Sequence, residues 1–295
     1  MIGKISSPDG ATYVRSGVAW RLYHRALVPD LAPHESVEPD RQDARELLRL
    51  SGAQFMRWTT DFDCDQTGFW WVIKDSEASL ESLPKKTRYE VRRASRRFEL
   101  VPVSDLDLMN WGYGIYLSAM REYRNARSPV SEALFLTDVR SRARDPRYSF
   151  WGVRDHDTDR VVAYATTLVQ ANACTYSAFF IDAAFRPLNV GYLMVHGLND
   201  YYLNQVGVTY VNDGARSLSH TSEIQDFLER RFGFRRAYCR LHLSYRPLLS
   251  VAVKAAYPFR RSLASRGGVA LRTVVPLLAH EAIVRGDAAE RVPTT

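Results

Sequence analysis

Residues 182–191 read Asp-Ala-Ala-Phe-Arg-Pro-Leu-Asn-Val-Gly and stand directly before the strongest helical periodicity in the chain. Three of them have types that bind anions: Arg186 carries a fixed charge, Asn189 is the non-glycine residue that best tolerates a left-handed backbone, and Gly191 permits close approach. A loop between a strand and a helix leaves the first helical amides unpaired at the positive end of the helix dipole, an arrangement suited to pyrophosphate. The same residue types also serve helix capping alone, so both readings stay open. His156 with Asp155, Asp157 and Asp159 has the composition of a ligand cluster, but five residues of one hairpin turn do not easily surround an ion, and no metal site is expected. His196 and Asp200, four apart on one helix, read as a surface pair. Cys64, Cys174 and Cys239 are odd in number and widely spaced, which fits neither a disulfide framework nor a zinc pair and points to buried thiols in a reducing compartment. No Ser/His/Asp or Cys/His arrangement stands out.

The elements that must position the loop are legible from periodicity. Residues 148–154, 161–169 and 173–181 read as three strands joined by connections too short for crossover helices, hence an antiparallel meander. After the loop, Val190, Leu193, Met194, Gly197, Leu198 and Tyr201 follow helical spacing, and a short apolar strand at 208–211 ends in Asn212-Asp213-Gly214. A helix from 222, with Ser222 and Gln225 as a capping box, ends at Gly233 before a last strand at 237–244. Upstream lie an extended run at 20–28, a helix from Asp40, and strands at 54–60 and 69–74 expected to pair as a hairpin. The stretch LPKKTRYEVRRASRRF (83–98) is a basic helix with one apolar stripe, Thr87, Val91, Ala94 and Phe98. Helices are further expected from 106 to about 123 and from 131 to 143.

The chain has 295 residues, 46% hydrophobic and 25% charged, which suits one large domain or two small ones and excludes disorder, collagen and a heptad rod. Its net charge of +7 is uneven: residues 230–280 hold eleven Lys and Arg and no acid, so the other 244 residues net −4. The start of the chain lacks a signal-peptide core and no stretch is long and apolar enough to span a bilayer, so a cytoplasmic protein is expected, with a peripheral position at the inner face of the membrane left open. The segments 248–257 and 269–284 set apolar runs among Arg and Lys, a composition that fits either an anionic membrane surface or packing on the protein's own domain. The basic segments 85–97 and 230–272 equally suit a tRNA backbone. Residues after Asp287 read as a frayed tail.

The stretch 148–243 resembles the catalytic half of the GNAT acyltransferase superfamily. Its pyrophosphate loop is matched here by Arg186 and Gly191, with Asn189 replacing the first glycine, and the run Leu228-Glu229-Arg230-Arg231-Phe232-Gly233-Phe234 resembles the superfamily's closing helix and Gly-Phe turn. The basic helix before that half is similar to the one in Fem-type peptidyltransferases and their acyltransferase relatives, which carry two such half-folds. The resemblance implies an α/β (α+β) fold with a mixed, mainly antiparallel central sheet flanked by helices. The domains would be a reduced N-terminal half (1–104), a catalytic half (105–246) and a basic amphipathic C-terminal extension (247–295). The position where many members keep a tyrosine acid is Glu229 here, so the usual leaving-group acid is absent from that place.

The resemblance further implies direct attack of an amine on an acyl group carried by acyl-CoA or an acyl carrier protein, in a cleft where strands 173–181 and 208–211 splay. The donor would lie along Phe180, Ile181, Arg186, Leu188, Asn189, Val190, Gly191 and Tyr192, with amides near Phe180 and Ile181 binding the carbonyl oxygen. Asp213 and His220, in the loop after the second strand, are the candidate bases, although Asp-Gly is a common turn pair and His220 precedes a helix. Tyr176 completes the catalytic set, although with Cys174 and Phe180 on one strand face it also reads as core. The alternatives are an aminoacyl-tRNA-dependent Fem-type ligase and a non-catalytic membrane- or RNA-binding module.

Overall fold

The computed structural model describes residues 3–7, 10–23, 25–122, 128–218, 223–266 and 271–287. They form two compact units: unit 1 holds residues 1–71, 215–223 and 236–295, and unit 2 holds 72–214 and 224–235. The expected segments 1–104, 105–246 and 247–295 are continuous in sequence, whereas these units interleave. The break in the first third falls between Trp71 and Val72, and the C-terminal segment belongs to unit 1.

Unit 1 opens with an antiparallel meander of β1 (Gly3–Ser7), β2 (Gly10–Arg15), β3 (Val18–Tyr23) and β4 (Ala26–Pro29). Ser16 and Gly17, at φ 51° and 78°, form the left-handed pair that a tight hairpin turn requires. The run expected at 20–28 is therefore two strands, broken where Arg25 takes φ 69°. Helix α1 (Arg41–Ser51) starts where Asp40 accepts the Asp43 amide at 2.7 Å and stops at left-handed Gly52. Its Ala44, Leu47 and Leu48 pack on Tyr13, Trp20, Leu27 and Met56.

Strand β5 (Phe55–Cys64) and strand β6 (Phe69–Lys74) flank the expected polar turn but do not pair with each other. The last strand of the chain takes the place beside β5 instead, with Tyr245 opposite Phe55 and Tyr238 opposite Cys64. Local turn chemistry gives no hint of a partner about 180 residues away, which is why the hairpin expectation fails. β6 then carries the chain into unit 2.

Unit 2 contains α2 (Lys85–Ala94), β7 (Phe98–Pro102), α3 (Asp105–Glu122), α4 (Glu132–Ala143), β8 (Tyr148–Asp155), β9 (Arg160–Gln170), β10 (Ala173–Ile181), α5 (Val190–Asn199), β11 (Tyr210–Ala215) and most of α6 (Glu223–Phe232). The chain returns to unit 1 through β12 (Arg235–Tyr245), followed by α7 (Pro247–Ala256), α8 (Arg260–Arg266) and α9 (Leu271–Val284). In unit 2 the strands run in the order β11-β10-β9-β8-β7, antiparallel except for the β10–β11 pair. In unit 1, β1 to β5 and then β12 follow one another, antiparallel except for β4–β5. Within each unit the strand pairing is mixed and mainly antiparallel, with helices against the strands.

The stripe of the basic helix is realised: Thr87, Val91 and Ala94 of α2 are buried, while Phe98 already belongs to β7. α3 and α4 cover β8–β10 with an aromatic core that includes Tyr116, Phe135, Phe150 and Tyr164. In unit 1, Val253 and Tyr257 pack with Leu277, Leu278 and Ala282 of α9, so the C-terminal apolar runs do build a core of their own. They also face outward, since Leu248 and Val251 of α7 are 88% and 67% exposed. No helix among the described residues is long and apolar enough to cross a membrane.

The Asp-rich turn at 155–159 is a structural hub. Buried Asp155 accepts Nε and Nη2 of Arg97 at 2.8 and 2.9 Å, the Thr158 hydroxyl at 2.9 Å and the Asp157 amide at 3.3 Å. The Arg97 guanidinium, helped by the other donors, holds the Asp155 carboxyl down at about 2. A folded-state value below the unfolded one means the stabilisation is complete above about pH 4 and is lost as the pH falls toward 2. Asp155→Asn is therefore expected to lower the thermal midpoint at pH 7 and to flatten its decline between pH 4 and 2, measured by circular dichroism. An unchanged midpoint would show that the bidentate pair contributes nothing.

Candidate active site

In unit 2, β10 and β11 part company at a defined residue. Their parallel ladder pairs Ala173 with Tyr210, Cys174 with Val211 and Thr175 with Asn212, and the next pair in register, Tyr176 with Asp213, is not made. β10 continues to Ile181 against β9, through a bulge between Tyr176 and Ala178 that bends the strand. Asn212 supplies a reason for the fork. Fully buried, it turns its carboxamide onto the neighbouring strand, where Nδ2 donates to the Cys174 carbonyl at 3.1 Å and to the Thr175 hydroxyl at 2.9 Å. Its Oδ1 accepts the Gly214 amide at 3.1 Å, and Gly214 sits at φ 93°, which bends β11 away.

The bulge also alters the faces. Simple alternation puts Cys174, Tyr176 and Phe180 on one side, but the register shift puts the Tyr176 ring beside Phe179 and sends the Phe180 ring to Tyr116 and Tyr164 in the aromatic core. Phe180 thus offers the fork its backbone. Tyr176 is buried, and its hydroxyl donates to Asn199 Oδ1 of α5 at 2.6 Å; burial raises its pKa well above the usual phenol value. Its phenol is committed to a structural partner. Asp213, one residue past the last ladder pair, keeps some solvent contact. Desolvation nevertheless pushes its carboxyl up to about 7, against the opposing effect of a hydrogen bond from Gln225 of α6. The negative charge of Asp213 acts on Tyr176, which places both groups at the fork. His220, the Ser222 cap and the tail beyond Asp287 lie outside the described residues.

The anion loop is more ordered than a simple loop. Asp182 accepts the Ala184 amide at 3.1 Å and opens a 3₁₀ turn, Ala183–Leu188, before left-handed Asn189 (φ 64°) leads into α5. The Asn189 carbonyl takes the amides of Tyr192 and Leu193, so Val190 and Gly191 are the first amides of the helix. A Cβ on Gly191 would lie 3.0 Å from Ile181 Cδ1, so glycine here lets α5 start close against β10. Leu188 is half-buried, Arg186 is exposed, and the Tyr192 ring packs on Phe227 and Phe232 of α6.

A residue missed by sequence reasoning occupies this terminus. Glu90, the one acid of the basic helix, accepts Asn189 Nδ2 at 2.5 Å. A carboxylate therefore already stands beside the helix N-terminus, where a bound anion is most stabilised. The signal was present in the sequence as a lone acid among seven bases. Asn212 was also missed; an asparagine in a strand pattern, where its type is depleted, was the available clue. His196 of α5, read as a surface partner of Asp200, is half-buried, and desolvation lowers its pKa although Asp200 opposes the shift. Among the described residues no group of three or more His, Cys, Asp or Glu is placed to hold a metal.

No family model and no curated protein matches the chain. Solved structures do. The chain is similar to FemX, with a TM-score of 0.51 and 11% identity over 81% of this chain and 83% of that one. It also aligns with L-PGS from Bacillus licheniformis (TM-score 0.48, 13% identity, 96% of this chain and 89% of that one). A tandem GNAT protein from the clavulanic acid biosynthesis pathway aligns too (0.45, 14%, 80% and 82%). The chain has a GNAT-like fold, shared with Fem-type structures.

Proposed function

We propose, from the GNAT-like fold shared with FemX, that this protein moves an acyl group from a thioester donor to an amine by direct attack at the fork between β10 and β11. The observation that carries the reading is the ladder ending at Thr175 and Asn212 with Asp213, a carboxyl near 7, as the next residue. Beyond the fork, residues 178–181 hold ladder partners on β9 alone among the described residues, so the opposite edge is available to pair an extended donor and to point amides at its carbonyl oxygen. In the step itself the amine nitrogen bonds to the carbonyl carbon while the carbon–sulfur bond breaks. The nitrogen gives its proton to the Asp213 carboxylate, and the leaving thiolate takes one from solvent.

Glu90 favours a second reading for the donor. A carboxylate at the α5 terminus competes with a pyrophosphate, so the site fits coenzyme A imperfectly and an ester-linked aminoacyl group on tRNA fits the same fork. The basic segments 85–97 and 230–272 support a polyanionic partner, either that RNA or an anionic membrane surface against the exposed Leu248 and Val251.

Calorimetric titration with coenzyme A and acetyl-coenzyme A tests the two donors. With a thioester donor, Glu90→Gln, which keeps an acceptor for Asn189, is expected to tighten binding about tenfold, roughly 1.4 kcal/mol. Gly191→Glu and Arg186→Ala should weaken it. No binding at millimolar ligand by either wild type or Glu90→Gln would overturn the thioester reading. Transfer from charged tRNA, abolished by ribonuclease, would then establish the ester.

A further inference from the structure

In unit 1, helix α7 and the single 3₁₀ turn that follows it, Tyr257–Phe259, are apolar on both faces. The inner face is accounted for: Val253 and Tyr257, with Leu249 and Ala256 beside them, pack with Leu277, Leu278 and Ala282 of α9. The outer face carries Leu248, Val251, Ala252, Ala255 and Phe259, spaced i, i+3, i+4, i+7 and i+11, and all five are exposed. Leu248, Val251 and Phe259 are 88%, 67% and 65% exposed, and the only other large hydrophobic residue as exposed among the described residues is Leu106 of α3, at 65%. A helix that buries one face in its own domain ordinarily turns charge outward, as α1 does with Arg41, Arg45 and Arg49. α7 turns outward a second apolar stripe, and a contiguous exposed stripe of this kind marks a contact surface.

The charges at its margin are of one sign. Lys254 is exposed and has no acid partner among the described residues, Arg261 is exposed beyond the turn, and residues 230–280 contain no acid. The acids that α9 and the residues after it contribute here are already engaged: Glu281 accepts from Tyr245 and pairs with Arg285, and Asp287 accepts from Tyr257 and pairs with Arg260. A second copy seated symmetrically on the same face would bring these cations toward their own equivalents, with no acid of the segment to separate them. An anionic bilayer meets both halves of the pattern, because its acyl boundary takes the stripe and its phosphates take the cations beside it.

We propose that the outer face of α7 and the adjoining turn docks unit 1 on an anionic lipid surface, with Leu248, Val251 and Phe259 entering the acyl boundary and Lys254 and Arg261 meeting lipid phosphates. The polyanionic partner named above is then a membrane. Docking does not depend on the donor at the fork, and vesicle binding is read without turnover, so failure of the one is distinguishable from failure of the other.

The full-length protein is co-sedimented with phosphatidylcholine vesicles, with and without phosphatidylglycerol. It is compared with the double variant Leu248→Ser, Val251→Ser, with Phe259→Ser and Lys254→Gln, and with Leu106→Ser as an equally exposed control in unit 2. Thermal midpoints by circular dichroism show that each variant is folded, as expected for side chains that pack on little. Wild type should bind vesicles containing phosphatidylglycerol saturably and more weakly as salt is raised. The double variant should lose about tenfold or more in partitioning, Phe259→Ser and Lys254→Gln should each lose a smaller factor, and Leu106→Ser should match wild type. Absence of binding to any vesicle overturns the proposal. So does charge-dependent binding that survives the double variant, which would assign the contact to basic residues alone. A concentration-dependent dimer in light scattering that the double variant abolishes, without vesicle binding by wild type, would give the face to a second copy and overturn it as well.

Discussion

Asp213→Asn is expected to lower kcat by about 10²- to 10⁴-fold, the range a positioned general base contributes, with a smaller change in KM. The same substitution should erase an apparent pKa near 7 from the pH dependence of kcat/KM in the free enzyme. A carboxyl in the ordinary range would be too weak a base to help an attacking amine, and burial between β11 and α6 is what moves this one to where it is both ionised and basic near neutrality. The stability of the variant should move the other way. Because the folded-state value is raised, the folded protein holds the Asp213 proton more tightly than the unfolded chain. The stabilisation is complete below about pH 4, falls between 4 and 7, and is absent above 7. The shift corresponds to a ceiling of about 4 kcal/mol at 1.36 kcal/mol per unit, and the solvent contact Asp213 retains reduces it. Asp213→Asn should thus melt above wild type at pH 8 and close to it at pH 4, while losing turnover. A variant that loses activity and stability together at pH 8 would make Asp213 a packing residue rather than a base.

What was legible in the sequence was local. The α5 pattern buries Val190, Leu193, Met194 and Leu198, and the meander of β8, β9 and β10 follows from short turns and alternation, because contacts of that kind are specified within a few residues. What was not legible depends on partners far along the chain. The companion of β5 lies in β12, and the basic C-terminal runs gave the same composition whether they met lipid or each other. At the candidate site the difference is finer still. Arg186, Asn189 and Gly191 were visible as an anion loop, but that Glu90 of α2 already faces that loop is a fact of how α2 packs on α5, and no spacing rule connects positions 90 and 189. Likewise the alternation that grouped Tyr176 with Phe180 is correct for a regular strand and fails because of one extra residue in the bulge.

Asn212 carries the second large effect, because the fork depends on one buried amide. Asn212→Ala removes the donor to the Cys174 carbonyl and the Thr175 hydroxyl, and leaves the Gly214 amide without its acceptor. Unsatisfied groups in the sheet interior make this costly, about 2 to 4 kcal/mol for the set, read as a shift of the denaturant midpoint at constant slope. Asn212→Val poses the sharper question. A β-branched residue suits a strand and asks nothing of its neighbour, so the ladder between β10 and β11 can advance by the pair Tyr176 and Asp213 that the native protein withholds. Advancing that pair would occupy the edge where the donor is proposed to lie and draw Asp213 into the ladder. The expected outcome is a larger loss of kcat/KM than of stability for Asn212→Val, with added amide protection at residues 176–178 in hydrogen exchange. If Asn212→Val keeps wild-type turnover while those amides become protected, the open fork is not where the chemistry happens.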